Sequence, residues 1–236
     1  MTEVDWQAVR LVVFDVDGTL YDQGCLRQKM MIALLGHCLR HPGDVGILRV
    51  ISQYRKFREE LAEEEAEGIG ELQYQRPAQR LGLEPEEVRT IVERWMLERP
   101  LEHLGRCRYP SVEVVFKLLE DTGRRVAVLS DYPAGDKLAA LGLEAEIQVS
   151  AVDPEVDRLK PHPRGLQRVL EVAGVDSGAA LLIGDRDERD GECARRAGVA
   201  CLIKTSQPTA KGAHFGDYEE VVRILRTNPA RDAALQ

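Results

Sequence analysis

Four consecutive apolar residues, Leu11-Val12-Val13-Phe14, run directly into Asp15-Val16-Asp17-Gly18-Thr19-Leu20. An unbroken apolar run of this length suits a strand covered on both faces, and Gly18 permits a tight turn where the strand ends. Similar runs recur at Arg125–Ser130, Ala145–Val149, Ala179–Gly184 and Val199–Ile203. Between them Val112–Asp121, Arg164–Val172 and Cys193–Ala197 have helical patterning, so the second half alternates helix and strand as βαβ units do. This predicts an α/β fold built on a parallel sheet with helices on both faces. Such sheets bind ligands beyond the carboxyl ends of their strands. Three of the runs end in polar chemistry there: Asp15-Val16-Asp17, Ser130-Asp131 and Gly184-Asp185.

Residues 21–107 break the rhythm and read as consecutive helices inserted into the sheet-forming chain. Leu26–Leu39 has helical character and is stopped by His41-Pro42-Gly43. Asp44–Glu67 reads as a long charged helix ended by Gly68-Ile69-Gly70, and Glu71–Leu81 and Glu86–Glu98 supply two more. The last opens after Pro85 with acids in its first turn, as the helix dipole favours. Pro100 and Tyr109-Pro110 mark the return to the α/β layer. The acidic run Glu59-Glu60 and Glu63-Glu64-Glu65 reads as a solvated helix face, and Thr227–Gln236 as a fraying tail.

The length of 236 residues exceeds a common single-domain size of about 100–150, which agrees with a core plus an insertion. A net charge of −8 without a basic block argues against a nucleic-acid partner. Met1–Arg10 has no apolar h-region and no run approaches the roughly 20 residues of a membrane helix, so neither a secretory signal nor a membrane partner is expected. The five cysteines are scattered, odd in number and lack a CxxC pair. That argues against a disulfide framework or zinc site and for a cytoplasmic protein. His37, His41, His103 and His214 lack metal-ligand spacing, and His162 reads as a helix-entry residue. There is no GxSxG, HExxH or Gly-Lys-[Ser/Thr] loop, which removes serine hydrolases, zincins and P-loop NTPases.

Asp15 and Asp17, two apart on an extended segment, face the same way if that geometry persists. Like charges so close require protonation, a shifted pKa or a cation; alternatively the two acids merely open a polar loop. The second acidic cluster, Asp185-Arg186-Asp187-Glu188-Arg189-Asp190, is no EF-hand, because Arg189 stands at the fifth ligand position and Gly191 comes one residue late. If the two strands are neighbours, Asp15, Asp17, Asp185 and Asp190 converge on a hard divalent cation, for which Mg²⁺ is suited. Alone, Ser130 reads equally as a strand-end hydroxyl, and Lys160 as a surface lysine.

Taken in order, Asp15-x-Asp17-Gly18-Thr19, Ser130, Lys160-Pro161 and Gly184-Asp185-x4-Asp190 resemble the four motifs of the haloacid dehalogenase-like (HAD) superfamily. The resemblance implies a Rossmann-like parallel-sheet core with helices on both faces plus an inserted all-helical cap of the C1 type. It divides the chain into core (1–20 and 108–228), cap (21–107) and tail (229–236). By position, Asp15 would be the nucleophile forming an aspartyl-phosphate, and Asp17 the acid and then base. Ser130, with backbone N–H groups near Asp131, would bind a phosphoryl oxygen, and Lys160 would offset charge on nucleophile and phosphate. Asp15, Asp17 (through its backbone carbonyl), Asp185 and Asp190 would form the Mg²⁺ site, Asp190 holding a metal water or pairing with Lys160. The implied activity is a Mg²⁺-dependent phosphatase for a small phosphorylated metabolite. Alternatives are a phosphomutase on a sugar phosphate or a catalytically silent binding module; oligomeric state is left open.

Two departures from the common pattern bear on specificity: Asp131-Tyr132-Pro133 after Ser130, and Arg158 where glycine is frequent. Arg27, Lys29, Arg49, Arg55, Lys56, Arg76 and Arg80 are the cap's candidates to meet an anionic substrate. Tyr21 and Tyr132 either line the cleft or pack in the hinge, and Arg186 either touches substrate or faces solvent. Hinges are expected near Tyr21–Gly24 and Arg106–Pro110.

Overall fold

Side-chain alternation along the central strands divides the core into two layers. In the computed structural model, which describes residues 4–205 and 213–228, β1 (Leu11–Phe14) lies at the middle of a six-stranded sheet. The others are β2 (Arg125–Ser130), β3 (Ile147–Ser150), β4 (Ala180–Gly184), β5 (Ala200–Lys204) and β6 (Ala213–Phe215), in the order β3-β2-β1-β4-β5-β6. Every pairing is parallel. Val12 and Phe14 of β1 face α6 (Val112–Asp121), α7 (Gly135–Leu141) and α10 (Tyr218–Thr227) in one apolar layer. Leu11 and Val13 face α8 (Arg164–Ala173) and α9 (Glu192–Ala197) in the other. All four β1 residues are fully buried, as an uninterrupted apolar run demands.

The helical insertion holds α1 (Gln23–Arg40), α2 (Gly46–Glu63), α3 (Ile69–Leu81), α4 (Pro85–Val92), a π-helical continuation over Glu93–Glu98, and α5 (Leu101–Cys107). Asp22 caps α1 by accepting from the Gly24 and Cys25 N–H groups. The expected helix over 44–67 is shorter, ending at Glu63, and Gly68 adopts the left-handed φ of 73° that starts α3. Pattern reading did not pick out α5, α7, β6 and α10. The expected tail 229–236 lies outside the described residues. No described helix is long and apolar enough to cross a membrane.

The cysteine expectation is corrected: Cys25, in the first turn of α1, and Cys107, the last residue of α5, form a disulfide. Their separation of 82 positions hides the pair in the sequence. In space the insertion leaves and rejoins the core side by side. The Asp22 N–H donates to the Cys107 carbonyl at 2.8 Å, and the Tyr109 N–H to the Leu20 carbonyl at 3.1 Å. The argument for a reducing cytoplasm from cysteine usage falls with this pair. Cys38, Cys193 and Cys201 are free, so thiol titration of the denatured, unreduced protein should count three thiols, and five after reduction. A crosslink closing so long a loop contributes roughly 4 kcal/mol by loop-closure entropy, so reduction should lower Tm by roughly 10 °C. Five thiols before reduction would remove the crosslink from the account.

Candidate active site

Three motif-bearing strands are direct neighbours, and this alone assembles the site. Phe14 of β1 is in register with Val128 of β2 and with Ile183 of β4, so Asp15, Asp131 and Asp185 emerge along one sheet edge. Asp15 is almost wholly buried. Its Oδ2 accepts from the Thr19 hydroxyl at 2.8 Å, and its Oδ1 from Lys160 Nζ at 2.5 Å. Lys160 Nζ also donates to Asp190 Oδ1 at 2.6 Å, so one buried ammonium spans two buried carboxylates. The other Asp190 oxygen accepts from the backbone N–H of Asp185 and of Arg186. Two glycines admit this crowding. A Cβ on Gly18 would overlap the Asp185 carboxylate, and one on Gly184 the Asp190 side chain.

Burial pushes the Asp15 carboxyl well above its usual range, opposed by the Lys160 ammonium and reinforced by Asp190, Asp185 and Asp17. Burial and the Asp190 charge push Asp185 up to about 6. Burial works against the Lys160 ammonium, but Asp15 and Asp190 hold its pKa well above the ordinary value. A surplus of carboxylate with one ammonium is an environment that a divalent cation relieves. Asp15, Asp185 and Asp190 each offer an oxygen, all within 4.8 Å of one another. An all-oxygen, carboxylate-rich donor set of this kind fits Mg²⁺.

The Asp17 carboxylate stands apart from that trio. Lys137 Nζ donates to both of its oxygens, at 2.6 and 2.7 Å, and the Tyr21 hydroxyl donates to Oδ1. Burial raises its pKa, yet Lys137 and Tyr21 outweigh burial and hold Asp17 below the usual carboxylate range. Ser130 Oγ is fully buried, accepts the Tyr132 N–H at 3.2 Å and does not line the cavity, whereas Asp131 does. The residue pattern alone does not single out Lys137. Its only signal is a position seven residues beyond Ser130, on a helix too short to show a period.

A cavity of about 630 Å³ extends from these carboxylates into the helical insertion. Of the seven basic candidates there, Arg27 and Arg55 line it and Lys29, Arg49, Lys56, Arg76 and Arg80 do not. Tyr21, Tyr132 and Arg186 line it as well. The basic residue that α2 actually buries at the site is Arg58. It donates to the Asp131 carbonyl at 2.7 Å and to Gln73, and stacks 4.1 Å from the Tyr132 ring centre. The adjacent Glu59, expected to be solvated, pairs with Arg189 at 2.6 Å and Arg186 at 3.0 Å. Glu65 pairs with Arg196, and Glu67 with Arg158. Part of the acidic run is therefore a contact face between the insertion and the sheet layer.

A family model for haloacid dehalogenase-like hydrolases matches residues 9–198. The chain is 27% identical over 220 residues to pyrophosphatase PpaX of Bacillus pumilus, covering 89% of this chain and 91% of that one. It is 24% identical over 233 residues to a phosphoglycolate phosphatase of Mesorhizobium japonicum, covering 92% and 96%. Among solved structures it is similar to the HAD-hydrolase YfnB of Bacillus subtilis, with TM-score 0.68, 15% identity, and coverage of 92% of this chain and 99% of that one. A 2-haloacid dehalogenase of Pseudomonas syringae superposes with TM-score 0.66 at 19% identity, covering 93% and 99%. At these identities the structural likeness speaks for the fold.

Proposed function

We propose that this chain, which belongs to the haloacid dehalogenase-like hydrolase family, is a Mg²⁺-dependent phosphatase that hydrolyses a small phosphorylated metabolite through an aspartyl-phosphate on Asp15. The observation that carries the reading is the Lys160 ammonium set between Asp15 and Asp190, with Asp185 within reach of both. Two relatives named as phosphatases point the same way.

In this reading Asp15 attacks phosphorus, and Thr19 and Lys160 fix its orientation while Lys160 offsets the charge gathered on the nucleophile and the phosphoryl oxygens. Asp17 then takes a proton from the attacking water, for which its ionised form is the competent one. In the first step the Lys137 ammonium, which donates to both Asp17 oxygens, delivers a proton through Asp17 to the leaving oxygen, and the proton later taken from water returns to Lys137, so the pair is restored. Bound at Asp15, Asp185, Asp190 and the Asp17 backbone carbonyl, Mg²⁺ would supply positive charge to the phosphoryl oxygens. Residues 21–107 act as a cap over the core formed by 1–20 and 108–228, with Asp131 at the junction. The Glu59 ion pairs and the Arg58 bond to Asp131 support a cap that closes on the core and excludes water from the transfer.

Phosphate release from a panel of phosphomonoesters should need Mg²⁺, stop in EDTA and return when Mg²⁺ is restored. Turnover in EDTA equal to that in Mg²⁺ would sink the metal site. Asp185→Asn separates the metal from the fold. Folded Asp185 keeps its proton to about pH 6, against 3.8 for an ordinary aspartate. Its contribution to stability is thus present below about pH 4 and lost as pH rises through 6. In cation-free buffer Asp185→Asn should melt above the parent protein at pH 7.5, the gap shrinking to about half at pH 5 and closing below about pH 4. The variant should also lose most of the Mg²⁺-induced rise in Tm. A full rise in the variant would place the ion elsewhere.

A further inference from the structure

The cavity is built for more than a phosphate. Its 630 Å³ falls within the range of pockets that hold drug-sized ligands, well beyond the needs of a two-carbon acid. The carboxylates and Lys160 form the end at the sheet edge; the wall supplied by the insertion carries Leu26, Met30, Leu34, Ile51, Trp95 and Met96. In α1, eighteen residues long, Leu34 alone is buried; Leu26 and Met30 are half-buried, packed against core neighbours on one side and lining the cavity on the other. Met31 and Leu48 line the cavity while remaining 49% and 36% exposed, so the apolar wall continues outward to the rim.

Most polar groups on that wall already have a partner. Arg27 donates to Gln23, Arg58 is held by Gln73, Asp131 and Tyr132, and Glu59 is paired with Arg186 and Arg189. Arg55 alone of the wall's cations makes no hydrogen bond or ion pair among the described residues, and it is exposed. A second anionic group on the substrate would therefore find two solvated guanidiniums without an ion pair among the described residues, Arg27 and Arg55, whereas a hydrocarbon would find a continuous surface.

We infer that the leaving group taken here is a hydrophobic alcohol, the substrate being a phosphomonoester whose phosphoryl end meets Asp15 and whose hydrocarbon lies against α1, Ile51 and Trp95. This rests on the phosphatase reading and narrows it. The test is the rate of phosphate release from methyl, butyl, hexyl and octyl phosphate below their aggregation limits. Phosphoglycolate and pyrophosphate serve as polar competitors and p-nitrophenyl phosphate as a general substrate. Burial of each methylene predicts a rise in kcat/KM of about three- to fourfold, so hexyl phosphate should exceed methyl phosphate by roughly 100-fold or more. Ile51→Gln should cut the hexyl-to-methyl ratio at least fivefold. A ratio near one, or a preference for phosphoglycolate or pyrophosphate over hexyl phosphate, overturns the hydrophobic leaving group and leaves the phosphatase standing. No phosphate from any compound, p-nitrophenyl phosphate included, overturns both.

Discussion

Asp15→Asn should lower kcat for phosphate release by about 10⁴-fold or more, with Tm within a few degrees of the parent protein. Loss of a covalent nucleophile removes the reaction path rather than weakening it, and such knockouts cost on the order of 10⁴–10⁶ in kcat. The fold should tolerate the change because the amide is isosteric and its oxygen still accepts from Lys160 or Thr19, the two donors that hold Asp15. Lys160 keeps its bond to Asp190, so no buried ammonium is stranded. Removing a carboxyl whose ionisation burial already opposes offsets part of any loss. Steady-state kinetics beside a melting curve checks both halves. Activity above one per cent of the parent in a folded Asp15→Asn protein would take the nucleophile's role away from this residue.

How much of this was legible in the chain depends on the scale of the signal. The central strands announce themselves because parallel strands buried on both faces must be apolar throughout, as Leu11–Phe14 and Ala180–Gly184 are. The acids at their ends follow from chain order, and the neighbouring placement of β2, β1 and β4 turns that order into a cluster. Lys137 and Arg58 were not legible. Each sits on a helix among other charged residues, and its importance lies in a partner 120 or 73 positions away. Glu59 was misread for the same reason, since a carboxylate on a charged helix looks solvated until Arg186 and Arg189 are brought to it. The Cys25–Cys107 pair shows the limit most clearly. Spacing rules for cysteine describe local frameworks, and this crosslink is defined by where an insertion rejoins its host.

Lys160→Met should be costly twice over. Methionine nearly matches the aliphatic stem in volume, so the packing loss is small and the electrostatic loss dominates. Asp15 and Asp190 would then face each other, both buried, without the ammonium that contacts each at 2.5 and 2.6 Å. Breaking a buried ion pair by deleting one partner costs about 3–5 kcal/mol, which for a chain of this size is roughly 10 °C in Tm. The sign of the pH dependence follows from Asp15. Its carboxyl already holds a proton above the usual range, so its stabilising share is present at low pH and is lost as pH rises through its folded pKa. Without Lys160, the cation that draws this pKa down, the loss becomes larger, so the Tm deficit of Lys160→Met should grow from pH 5.5 to pH 8. Mg²⁺ should recover part of that deficit by neutralising the same carboxylates. It should not recover kcat, expected to fall about 10³-fold, because the cation that neutralises the fold does not replace the ammonium aligned on the attacking oxygen. A Tm deficit independent of both pH and Mg²⁺ would mean that Lys160 acts by packing, and a variant with near-parental kcat would remove it from the transfer step.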